Sequence, residues 1–154
     1  MAKLSGRDNL LKKLAALPPT VRSAIKQALA QGADDIVSEQ KRLSRSRRVA
    51  ATIDQWWGDK PQFATSGALV GGGAVKGDPD LTVWISAGDE DVFWARWEEF
   101  GTAPHINGGM FAGSQHPGTS PRPFFFPAFR ANKRRVKSRI SRATTKAVKQ
   151  VASS

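Results

Sequence analysis

Residues 93–129 hold nine of the chain's thirteen Phe and Trp residues (8 Phe, 5 Trp): Phe93, Trp94, Trp97, Phe100, Phe111, Phe124, Phe125, Phe126 and Phe129. Side chains of this kind bury large areas and dominate cores and interfaces, so the core is expected to be built largely around this stretch. Its two aromatic blocks are separated by residues 103–120, which carry Pro104, Gly108, Gly109, Gly113, Pro117 and Gly118. That much Gly and Pro predicts no regular element, only a long mobile loop of the kind that is functional or orders on binding.

At 154 residues the chain has the size of a single domain, 1–154, with 103–120 as the extended loop and 130–154 as a basic C-terminal helix and tail. Its net charge of +11 and pI near 10.7 point to a polyanionic partner or an acidic protein surface. The absence of cysteine excludes disulfides and thiolate metal sites and fits assembly in a cytosol. No apolar run approaches the ~18–20 residues that span a bilayer. Met1-Ala-Lys-Leu-Ser5 lacks the apolar core of a secretory signal, so the expectation is a soluble, unexported protein with no membrane partner.

Residues 5–17 place Leu10, Leu11, Leu14 and Leu17 at helical spacing, stopped by Pro18 and Pro19. From Thr20 a longer helix is predicted, with Val21, Ile25, Ala28, Leu29, Gly32, Ile36, Gln40 and Leu43 recurring at three- or four-residue steps. Gly32 at mid-helix costs up to about 1 kcal/mol relative to Ala, which marks either a close packing point or a bend. Arg42, Arg45, Arg47 and Arg48 then read as a helix end or exposed basic loop. The Ile53, Trp56, Trp57 island reads as a satellite cluster over the sheet edge or a contact site. Residues 65–70 read as a strand weakened by Gly71-Gly72-Gly73, at a bulge or close backbone approach. Residues 81–86 alternate Leu81, Val83, Ile85 with Thr82, Trp84, Ser86 and are the best strand, with both faces requiring cover. Residues 92–100 fit helix and strand alike. Residues 128–151 read as a helix with Phe129, Val136, Ile140, Ala143, Ala147 and Val151 in a narrow stripe. Around that stripe lie nine cations and no acid: Arg130, Lys133, Arg134, Arg135, Lys137, Arg139, Arg142, Lys146 and Lys149.

No catalytic, cofactor or metal site is expected. His105 and His116 have no thiolate companions, no Ser lies in a nucleophile elbow, and the glycine run has no Lys-Ser/Thr after it. The carboxylates Asp89, Glu90, Asp91, Glu98 and Glu99 suit helix capping and contact with basic helices better than acid-base work. The basic segments can neutralise phosphates without reading sequence. They interleave no aromatics and carry no zinc, homeodomain or RNA-recognition signature.

Several ordered motifs remain: Ser5-Gly6, Leu10, Leu14, Leu17-Pro18 and a helix ending Lys41-Arg42-Leu43; Thr65-Ser66-Gly67-Ala68-Leu69; Glu99-Phe100-Gly101-Thr102; and Pro121-Arg122-Pro123-Phe124 followed by Pro127-Ala128. In this order they resemble the tail-completion or neck family, the head-tail connectors of long-tailed bacteriophages and related gene transfer agents, over nearly the whole chain. Two departures are the longer 44–64 connection and the longer 103–120 loop. The resemblance implies a non-enzymatic virion protein, assembled in the host cytoplasm as a homo-oligomeric ring. Its implied partners are a head connector or stopper, a tail tube or tail terminator, and double-stranded DNA passing non-specifically through the channel. It also implies that Glu99, Phe100, Gly101, Thr102, Pro121, Arg122, Pro123, Phe124 and Pro127 form the loop base. Arg130, Lys133, Arg134, Arg135, Lys137, Arg139, Arg142 and Lys146 are then inter-subunit or DNA-facing. The fold expected is α+β: N-terminal helices on an antiparallel sheet of roughly three to five strands, a long loop and a basic C-terminal helix. The rival reading is a small basic, non-catalytic DNA-binding protein; a hydrolase or nuclease would need a metal-binding acidic cluster.

Overall fold

Helix α1 (Pro19–Leu43) begins with Pro19 at its first position, where the missing N–H is no loss. Of the stripe that the three- and four-residue spacing predicts it buries Val21, Ile25, Ala28, Gly32, Ile36 and Gln40; Leu29 and Leu43 are half-buried, and Ala33 is buried beside them. The computed structural model describes residues 17–58, 68–71 and 78–153, so the helix predicted over 5–17 lies, but for Leu17, outside the described residues. The stripe lies against helix α4 (Phe125–Ala152) and the sheet, giving the expected α+β architecture. A Cβ on Gly32 would stand 2.5 Å from Val136 Cγ1, so Gly32 marks a point of close packing between the two long helices.

Between the helices come α2 (Arg47–Ala51), capped by Ser46 Oγ accepting from the Val49 N–H, and a three-stranded antiparallel sheet. Strand β3 (Val83–Ala87) is central, flanked by β1 (Asp54–Trp57), with Trp56 opposite Trp84, and by β2 (Leu69–Gly71), with Val70 opposite Ser86. Ile85 and Ala87 join Ala33, Ile36, Val49, Ile53, Leu69, Val92, Phe124 and Phe125 in the main core. On the other face the Trp84 indole N–H donates to the Gly58 carbonyl at 2.9 Å and that of Trp56 to Ser86 Oγ at 2.8 Å. The Trp56–Trp57 island is therefore the edge strand itself, with the Lys26 ammonium 5.3 Å above the Trp57 ring.

Three expectations are corrected. The central strand starts at Val83, because Pro79–Leu81 form a single 3-10 turn capped by the Asp78 side chain, and Leu81 packs with Val21, Ile25 and Ala147 instead. The ambiguous segment is helical, α3 (Ala95–Phe100), and its inward positions are Ala95 and Glu99. Phe93, Trp97 and Phe100 accordingly face outward at 44%, 47% and 54% exposure, and the core is mostly aliphatic around Phe124 and Phe125. Finally, the Gly/Pro-rich loop is an ordered hairpin arm: β4 (His105–Ile106) pairs with β5 (Gln115–His116), and Gly109–Phe111 turn at its tip. Its glycines at positive φ (Gly109, Gly113, Gly118) supply the turns rather than breaking the structure.

The start of α1 is tied to the 3-10 turn that precedes β3 by Arg22, whose guanidinium donates to both oxygens of Asp78 (2.7 and 3.1 Å) and to Asp80 (3.2 Å). The Arg22 hydrogen bond holds the Asp78 carboxyl below its ordinary 3.8, outweighing burial, which raises it. A carboxyl depressed in the folded state stabilises fully above its unfolded value and loses that stabilisation as pH falls through the lower folded value. Melting temperature should therefore drop from about pH 5 downward, and the drop should be shallower in Asp78→Asn; identical acid profiles would refute the coupling. Gly32→Ala should destabilise by about 1–3 kcal/mol, because overpacking exceeds the helix-propensity gain of ~1 kcal/mol. In a urea-unfolding double-mutant cycle, Val136→Ala should offset part of that loss.

Candidate functional site

Helix α4 begins at Phe125, three residues before the position periodicity predicts, and the reason is Glu99. The first four N–H groups of a helix have no partner within it. Here these belong to Phe124, Phe125, Phe126 and Pro127. Pro127 has no N–H, and the other three donate to Glu99: Phe124 and Phe125 to Oε2 at 2.6 and 2.8 Å, Phe126 to Oε1 at 3.1 Å. Glu99 is 3% exposed, so a single buried carboxylate satisfies the entire N-terminus and meets the positive end of the helix dipole. The buried Gln40 side chain adds a second tie, donating to the Phe125 carbonyl at 3.1 Å.

Its neighbour Glu98 points elsewhere. Glu98 Oε1 accepts from the Arg45 and Ser46 N–H groups at 3.2 and 3.4 Å and from the Ser44 hydroxyl at 3.4 Å, closing the α1–α2 junction. The Glu98 carbonyl accepts from the Arg122 N–H at 2.8 Å. Both carboxylates are thus engaged with backbone donors of distant segments, an arrangement suited to joining elements and not to moving protons.

The arm springs from this junction. Thr102 and Thr119 exchange two backbone hydrogen bonds of 3.1 Å, and their hydroxyls lie 3.2 Å apart. Gly101 holds φ 70° and ψ −177°, a region that essentially only glycine occupies, and a Cβ there would strike the Thr119 carbonyl and Pro121. The two turns predicted for the loop base therefore meet, with Pro121, Arg122 and Pro123 exposed, Phe124 fully buried as the N-cap residue, and the Phe100 ring 5.8 Å from Phe126. Further out, His105 and His116 stack at 4.8 Å. His116 Nδ1 accepts from the Gly118 N–H and His105 Nδ1 donates to the Ala103 carbonyl, each at 2.9 Å. Residues 108–115 are all exposed.

The predicted cations all lie on α4 but do not form one face. At 100° per residue, Arg130, Lys133, Arg134 and Lys137 line one flank of the apolar stripe, and Arg135, Arg139, Arg142, Lys146 and Lys149 the other. Arg135 and Arg139 are drawn onto Asp35 of α1 at 3.2 and 2.7 Å. Among the described residues no carboxylate pairs with the remaining seven, which are exposed. Arg48, from the other basic segment, stacks 4.8 Å from the Trp94 ring.

Sequence reasoning placed Glu99 in a motif and among helix-capping acids without identifying which helix it caps, and it missed Glu98 as a bridge to residues 44–46. Both contacts cross tens of residues, so no local spacing signals them. The chain thus defines an α+β domain with a projecting hairpin arm and a cationic helix sharing one buried acidic joint. Compared with known proteins, it has no significant match to any family model, curated sequence or solved structure.

Glu99→Ala should strand three donors, two buried and one half-buried, and cost about 3–5 kcal/mol, measured by chemical unfolding. Glu99→Gln, which keeps one acceptor oxygen, should fall between that variant and the parent. Equal stability of all three would remove Glu99 from the role assigned to it.

Proposed function

We propose that the protein is a structural subunit of a phage-type neck, forming a homo-oligomeric ring that joins a head connector to a tail and leaves a passage for DNA. The observation that carries this reading is the joint itself. The residues of the Glu-Phe-Gly-Thr and Pro-Arg-Pro-Phe motifs are used in anchoring an arm and a helix, and what they present outward is contact surface. That surface comprises the aromatic side chains of Phe93, Trp97 and Phe100, the arm, and the two basic flanks of α4, on which seven of nine cations pair with no carboxylate among the described residues. Exposed aromatic patches of this kind mark protein–protein contacts. Stripes of opposite hand on one helix allow one to face DNA or an acidic neighbour while the other is held by Asp35.

The rival, a free-standing basic DNA-binding protein, draws on those same stripes. It predicts tight binding to duplex DNA that falls by orders of magnitude between low and moderate salt. The neck subunit instead co-purifies with particles.

The deciding experiment removes the arm without disturbing its base. Replacing residues 106–115 by Asn-Gly leaves the His105–His116 pair closed by a two-residue hairpin turn. The shortened protein should melt within a few degrees of the parent, yet particles made with it should accumulate as filled heads and unattached tails. Normal yields of infectious particles from this variant, or from a strain lacking the gene, would reject the neck role.

A further inference from the structure

The arm is too small to stand as a fold of its own. A two-stranded hairpin in water is marginal without a sheet or helix to pack on, and among the described residues the main partner of β4 is β5, not a helix. Its tip nevertheless displays Ile106, Met110 and Phe111 at 69%, 92% and 69% exposure. The arm is also uncharged: between Glu99 and Arg122 the only ionisable side chains are His105 and His116. In a chain of net charge +11, a long segment without Lys or Arg can approach another cationic surface without repulsion and be buried without dehydrating an ion.

The same chain carries a surface of matching character. Between α1 and α4 runs an open groove of about 390 Å³, floored by Ile36, Phe129, Val136 and Ile140, with Lys133 and Lys137 on its rim. Long lysine stems extend apolar walls while their ammonium groups stay in water, so the groove accepts apolar side chains and turns away cationic ones. Met and Phe at the tip suit it, the former because its flexible thioether fills irregular gaps.

We propose that the arm tip of one copy, through Ile106, Met110 and Phe111, seats in the α1–α4 groove of a second copy. Tip and groove are different surfaces, so the contact is head-to-tail: each copy that gives its arm keeps a groove open for the next, the condition for a closed ring or a filament. The inference rests on reading the chain as an assembly subunit and names the surfaces that make its homo-oligomeric contact.

The chain has no cysteine, which makes the test direct. Met110→Cys chains mixed with Ile140→Cys chains at about 1 mM, where contacts worth only ~4 kcal/mol are populated, should cross-link on oxidation at least tenfold more than Met110→Cys mixed with Ser138→Cys on the far side of α4. The double variant Met110→Asp/Phe111→Asp should lose concentration-dependent association and keep its melting temperature, since both side chains are exposed. Cross-linking no better than the Ser138 control, or association untouched by the two aspartates, overturns the inference. So does closure of Leu11→Cys onto Ile140→Cys within one chain, which would give the groove to the chain's own leading segment. Capture of the tip by a different particle protein also overturns it but leaves the neck reading standing. Tip-to-groove cross-linking of a protein dispensable for particles does the reverse.

Discussion

A buried carboxylate facing three backbone N–H groups is the interaction on which the rest of this structure depends. Without Glu99, the longest helix would begin inside the core with its donors unsatisfied, at a cost of a few kcal/mol. With it, the helix can start between two fully buried phenylalanines, Phe124 and Phe125. Proline at the third helical position fits the same logic, because the one donor the carboxylate does not reach does not exist. The adjacent Glu98 turns the opposite way and gathers residues 44–46 and 122, so two consecutive acids organise segments that are far apart in the chain.

The second constraint is the approach of the two long helices. Gly32 lets Val136 come close, and Asp35 one turn later takes Arg135 and Arg139. This contact divides the cations of α4. Two are held at the helix pair and contribute to packing, while seven remain on the outside, where mutual repulsion favours a negative or uncharged neighbour. The helix needs no propensity beyond this to form, since most helical stability in a protein comes from the packed face.

Much of the fold was legible in the sequence because periodicity reports burial. The stripe of α1 and the alternation centred on Ile85 correspond to buried positions, and the stripe of α4 does so in part: Ala147 is buried, Phe129, Val136, Ile140 and Ala143 are half-buried and Val151 is exposed; the α+β class follows from these elements. What was not legible depends on distant partners. Leu81 alternates with its neighbours as a strand residue would, but Asp78 and Pro79 fold it into a turn beneath α1. Phe93, Trp97 and Phe100 satisfy an aromatic-core reading, yet the helix carrying Trp97 and Phe100 turns Ala95 and Glu99 inward, and those two aromatics, with Phe93 in the turn before it, face outward. Glycine and proline between 103 and 120 suggested a loop without order, whereas the glycines lie at the turns of a hairpin whose strands are only two residues long. The motif residues are expected at one loop base and do meet there; that Glu99 caps the helix beginning at Phe125 is a contact that no local spacing encodes.

The arm's foundation has a mechanical consequence. Its two legs are clamped by the paired threonines, and one leg is bonded directly to the Glu98 carbonyl, a peptide unit away from the group that begins the C-terminal helix. A pull on the tip is therefore not absorbed by a slack tether but passes within a few bonds into the interior, where it bears on the joint that Glu99 makes between the short aromatic helix and the long cationic one. Whatever grips the extremity of this molecule takes hold of its centre.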